Sequence, residues 1–172
     1  MILICYDGSE DAKAAIQHGG ELLRGESATV LTVWQPVAYM GARAPGAFGF
    51  VPAMIDAEQI DQANEEFALE RAGDGVELAN DAGFVAEAVS QAQTSTTANA
   101  ILAEADRLDA SAILMGSRGL TGLKSLLLGS VSHAVLQHAG RPVIVIPSPT
   151  VARSRTERRR VVSQQANSKT ED

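Results

Sequence analysis

Residues 115–132, MGSRGLTGLKSLLLGSVS, set Gly116, Gly119, Gly129 and Ser130 between an aliphatic run and a segment of helical period. The side chains there offer little chemistry, so the backbone is what matters. Glycine lets the main chain turn with positive φ and approach a ligand closely. The start of a helix presents N–H groups that the helix itself cannot use, together with the positive end of its dipole. A loop leading from the carboxyl end of a parallel strand into a helix therefore suits an anion. Two amide clusters, one at Gly116 and Gly119 and one at Gly129 and Ser130, suit a polyphosphate. Four donors to a charged group, at about 1.5 to 3 kcal/mol each, give on the order of 6 to 12 kcal/mol before entropy, against about 8 for micromolar binding. Arg118 and Lys124 are expected at the rim, where salt screening and side-chain entropy make them weigh less than the amides.

Familiar phosphate loops do not fit. A P-loop opening at Gly119 needs Gly-Lys at 124 and 125, where Lys124 and Ser125 stand. A dinucleotide fingerprint opening at Gly116 needs glycine at 118, and the first turn of the chain reads Tyr6-Asp7-Gly8-Ser9 instead. Catalytic candidates are few. His133 and His138 are five apart on one helix and turn away from each other, so no metal site is expected from them. Asp7, at a strand end, could hold a sugar hydroxyl, assist a metal ion or cap the next helix. No serine or cysteine has a plausible base beside it, and Cys5 in the apolar opening run reads as an inert buried thiol. No catalytic residue and no protein metal site are assigned.

These residues need a frame that brings them together. Short apolar runs alternate with segments of helical period, the pattern of an α/β domain with a parallel sheet. Strands are expected at Ile2 to Tyr6, Thr29 to Trp34, Val85 to Val89, Ser111 to Met115 and Val143 to Ile146, the third being the most exposed. Ser9 caps a helix running to about Arg24. A second helical segment, Met54 to Asp81, has Ile60, Ala63, Phe67 and Ala68 in phase, with a bend or break expected at Gly73 and Gly75. Helices follow from Thr97 to about Asp109 and from Ser130 to His138. Residues 35–53, with three prolines and three glycines, form a long loop or lid whose Tyr39, Phe48 and Phe50 could cover a ligand.

A chain of 172 residues fits one domain. The domain is assigned to 1–147 and a disordered basic tail to 148–172, with Arg158 to Arg160 in it. Residues 1–150 carry 8 basic and 18 acidic side chains, and 151–172 carry 6 and 3. An acidic body repels nucleic acid, so a bound anion must be captured by local geometry. No apolar stretch approaches a membrane span, and a single cysteine with no signal segment points to a cytoplasmic protein.

Gly116, two residues, Gly119, nine residues, then Gly129 and Ser130 form a pattern that, with Asp7-Gly8-Ser9, Thr32-Val33 and the closing Arg141-Pro142-Val143-Ile144-Val145-Ile146-Pro147, resembles the nucleotide-binding branch of the universal stress protein family over residues 1–147. The resemblance implies a Rossmann-like five-stranded parallel sheet in the order 3-2-1-4-5, with ATP and Mg²⁺ at the carboxyl ends of strands one and four. By position, it assigns Cys5 and Asp7 to ribose or adenine, Val33 and Met115 to the base, and Gly116 and Gly119 to ribose and phosphates. Gly129, Ser130, Val131 and Ser132 would hold the phosphate chain through amides and hydroxyls. It further implies a homodimer through Val143 to Ile146, and a non-catalytic, nucleotide-dependent regulator of the stress response. A slow Mg²⁺-dependent ATPase, a dimerising scaffold and a cyclic AMP binder are the alternatives. Tyr6 departs from the smaller residues common at its position.

Overall fold

The computed structural model describes residues 1–40, 56–120, 128–154 and 156–157. Strands β1 (Ile2–Cys5), β2 (Ser27–Trp34), β3 (Val85–Ala92), β4 (Ala112–Gly116) and β5 (Val143–Ile146) pair in parallel in the order β3-β2-β1-β4-β5, as expected. Helices α1 (Glu10–Leu22), α2 (Val37–Met40), α3 (Ala57–Asp81), α4 (Thr97–Arg107) and α5 (Ser130–His138) complete the described elements. Side chains alternate across the sheet. Ile2, Ile4, Val30 and Leu114 pack with α1 and α3 on one face, while Leu3, Leu31, Ile113 and Met115 pack with α4 and α5 on the other. Coverage on both sides is why the central strands read as continuous apolar runs. The chain leaves β1 toward β2 on one side and returns to β4 on the other, so a crevice opens between the β1 and β4 ends, where parallel sheets bind ligands.

Three expectations need correction. First, α3 runs unbroken through Gly73 and Gly75. Its buried stripe is Ala68, Ala72, Gly75 and Ala79, while Ile60 and Phe67, in phase with one another, are exposed. Small residues bring the helix axis close to the sheet, and Gly75 is the closest point: a Cβ there would lie 2.8 Å from both Tyr6 Cδ1 and Val30 Cγ1. The unusual Tyr6 and the unusual mid-helix glycine are thus one fitted contact. Gly73 has nothing within 4 Å of a would-be Cβ. We expect Gly73→Ala to raise stability by about 1 kcal/mol through helix propensity alone, and Gly75→Ala to lower it because the clash outweighs the same gain; thermal unfolding of the two variants measures the difference.

Second, Ser148 does not begin a structureless tail. Residues 149–154 are helical, Ala152 N–H donates to Ser148 O at 2.9 Å, and Val151 is buried. Residues 158–172 lie outside the described residues, as do 41–55, which hold most of the expected lid. Third, within that loop, Val37–Met40 form one helical turn, tied to α3 by Val37 N–H donating to Asp61 Oδ1 at 2.7 Å. Among the described residues no helix is long and apolar enough to cross a membrane.

Candidate functional site

The register builds the site from below. Cys5 stands opposite Leu31 on β2 and Met115 on β4, so the three side chains form one row on the α4–α5 face, and Val33 follows Leu31 two residues on. With Ile101 of α4 they make the apolar part of a cleft of about 490 Å³ at the carboxyl ends of these strands. That volume suits a small organic ligand. All ten residues selected from the sequence, Cys5, Asp7, Val33, Met115, Gly116, Gly119, Gly129, Ser130, Val131 and Ser132, line it.

Its polar part is the first turn of α5. Gly129 is the N-cap, with φ −69° and ψ 159°, and no side chain caps the helix. Among the described residues, the N–H groups of Ser130, Val131 and Ser132 have no hydrogen-bond acceptor. Three donors and the positive helix end therefore face the cleft together.

The turn is held by Ser117. Its carbonyl accepts from Gly129 N–H at 2.8 Å and from Ser132 Oγ at 2.9 Å, and its N–H donates to Ile146 O at 2.9 Å. Its buried hydroxyl donates to Asp11 Oδ2 at 2.7 Å. The Ser132 hydroxyl is thus turned inward, shared between Ser117 O and Gly129 O, and this corrects the expectation that it reaches a ligand as a donor.

Gly116 and Gly119 are needed for proximity rather than for φ. Among the described residues, the positive-φ glycines are Gly8, Gly25 and Gly83, so Gly116, Gly119 and Gly129 do not use the left-handed conformation expected of them. A Cβ on Gly116 would lie 2.6 Å from Asp11 C and 2.8 Å from Ala12 N, both main-chain atoms of α1. One on Gly119 would lie 2.6 Å from Asp7 Oδ2. Gly129 has only ordinary contacts at 3.4 Å and beyond.

Asp7 ties three segments. Its Oδ1 accepts from Ser9 N–H at 3.0 Å, which sets up the cap that Ser9 Oγ gives to Ala12 N–H, and its Oδ2 accepts from Leu120 N–H at 3.3 Å. Each oxygen retains a second lone pair. Burial, and then the negative charge of Asp7, push the Cys5 thiol up to about 12, so it stays protonated and unreactive at neutral pH.

Arg118 lines the cleft, as expected, but it is not a free cation there. Its side chain is 17% exposed and folds back on α1, with Nε 3.7 Å from Asp11 Oδ2. Lys124 lies outside the described residues. His133 and His138 are exposed and do not line the cleft.

The sequence reading missed Leu31, Thr97, Ile101, Tyr6 and Arg71 as lining residues. Leu31 is legible through its two-residue spacing from Val33, whereas Ile101 lies in the apolar stripe by which α4 packs on the sheet and so carries no separate signal. Nothing local marks Arg71, which comes from α3. Together the walls can bind a ligand with a flat apolar part at one end and an anionic part at the other.

A model of the universal stress protein family matches residues 1–147. The chain is 29% identical over 147 residues to universal stress protein YxiE of Bacillus subtilis, covering 84% of this chain and 97% of that one. Among solved structures, hypothetical protein MJ0577 superposes with a TM-score of 0.67 at 25% identity, covering 85% of this chain and 94% of that one. The universal stress protein from Archaeoglobus fulgidus in complex with dAMP has the same fold, with a TM-score of 0.54 at 24% identity and coverage of 84% and 95%.

Proposed function

The chain belongs to the universal stress protein family, and from that premise we propose that it binds ATP, with Mg²⁺ on the phosphates, and acts as a non-catalytic nucleotide-dependent regulator. The observation that carries this reading is the pairing, in one cleft, of the apolar row Leu31, Cys5 and Met115 with the three acceptor-free amides at the start of α5. The base would lie on the first and the phosphate chain on the second, with Asp7 and Gly119 between them at the sugar. The dAMP complex of the Archaeoglobus fulgidus protein supports an adenine nucleotide as the class of ligand. Among the described residues no three His, Cys, Asp or Glu side chains converge. A magnesium ion would therefore enter with the phosphates and neutralise their charge. The regulator reading is preferred over an ATPase because, among the described residues, the only carboxylate lining the cleft, Asp7, has both oxygens engaged by backbone N–H groups.

A dimer through β5 goes with this reading. β5 ends the sheet, and the aliphatic residues Val143 to Ile146 are only partly covered, which leaves a strand edge for a second copy. The test is the nucleotide content of freshly purified protein. Intact ATP retained without phosphate release on adding Mg²⁺ is the expected result; Mg²⁺-dependent phosphate release would favour the ATPase, and protein that neither retains nor takes up ATP would end the nucleotide reading.

A further inference from the structure

Positive charge is scarce in the acidic body, and among the described residues most of it is already paired. Of the six described basic residues before position 150, Lys13, Arg107, Arg118 and Arg141 each form an ion pair, with Glu10, Glu104, Asp11 and Asp106 respectively. Arg24 lies against Gly83, where β3 begins, at the far end of the sheet from the cleft. Arg71 remains. Arg71 and Arg118 both line the cleft, but whereas Arg118 is turned to Asp11, Arg71 forms no ion pair among the described residues.

Its position is built into the fold. The neighbouring Ala72 and Gly75 are buried against the sheet, so the backbone of α3 is fixed at this level. From there the side chain crosses the β1–α1 turn at Gly8, where a Cβ would stand 3.7 Å from Arg71 Cδ and Nε. Gly8 has φ +81° and no side chain to hold the guanidinium off. Arg71 thus reaches the cleft from the layer of helices opposite the one that supplies α5.

We propose that Arg71 is the charged contact of the cleft, its guanidinium pairing with a phosphate of the bound nucleotide from the side opposite the first turn of α5. The proposal rests on the nucleotide reading above and adds to it the residue that reads phosphate charge. A guanidinium offers planar paired donors to a phosphate that an ammonium group lacks. Binding of ATP and of adenosine to the full chain, measured by calorimetry at low and high salt, tests it. We expect Arg71→Ala to weaken ATP roughly tenfold or more at low salt while leaving adenosine unchanged, with Arg71→Lys between wild type and Arg71→Ala. The wild-type advantage should shrink as salt rises. ATP affinity unchanged in Arg71→Ala, or equal losses for ATP and adenosine, would overturn the assignment while the nucleotide reading stands. Wild-type protein that binds neither ligand would remove both.

Discussion

Ser130→Pro is expected to weaken ATP binding roughly ten- to a hundredfold while leaving the melting temperature essentially where it is, the loss of one hydrogen bond to a charged group being worth about 1.5 to 3 kcal/mol. Ser130 is the first helical residue after the Gly129 cap. Proline is favoured at that position because its missing N–H has no partner inside the helix. Gly129 already has the extended conformation, φ −69° and ψ 159°, that a residue before proline requires. The bond from His133 N–H to Gly129 O at 3.0 Å is untouched. The substitution therefore deletes one amide from the cleft and little else. Ser130→Ala, which keeps the amide and removes the hydroxyl, should cost only a few-fold. Titration of the three proteins with ATP decides it: equal affinity in Ser130→Pro and wild type would mean that the start of α5 does not hold the phosphates.

The largest effect on stability is expected at Gly116. Gly116→Ala should destabilise the domain by about 3 kcal/mol, the upper end for forcing an atom into packed structure. In a domain of this size that is a fall of roughly 6 to 12 °C in melting temperature. The added Cβ would meet Asp11 C at 2.6 Å and Ala12 N at 2.8 Å. These are backbone atoms in the first turn of a capped helix, and no rotamer change relieves the contact. The turn is also held from the other side by the Ser117 hydroxyl on Asp11. A melting curve within a degree or two of wild type would show that α1 can shift freely away from β4. Gly116 and Ser130, fourteen residues apart around one cleft wall, in this way separate a residue kept for the scaffold from one kept for the ligand.

How far the sequence reveals this molecule depends on whether the relevant force acts locally. Strands buried on both faces announce themselves by composition, and β5 and α5 have the bounds read from the sequence. The start of β2 does not, because Ser27 and Ala28 are strand residues only through pairing with Val85 and Ala86, far along the chain. In α3 the large residues Ile60 and Phe67 suggest the wrong face, since a helix packed closely on a sheet is held by alanines and glycines that carry little hydrophobic signal. The site shows the same division. The loop glycines are evident from their spacing, yet the reason for them is contact with Asp11, Ala12 and Asp7, which no local pattern encodes. Arg118 looked like a free cation until the fold brought Asp11 beside it. Arg71 could not be associated with the cleft at all until α3 was seen to pass over Gly8.

Tyr6 and Gly75 bear on how sequences of this kind diverge. The ring fills the space that any side chain at 75 would need. Neither site can therefore drift by itself toward bulk: a lineage that gains alanine or larger at 75 must first have given up the aromatic at 6 and made room at Val30, whose Cγ1 is as close, and one that acquires the aromatic must already carry the glycine. The order of the two changes is dictated by sterics, so ancestors with tyrosine and a large residue together should be missing from the record of related chains.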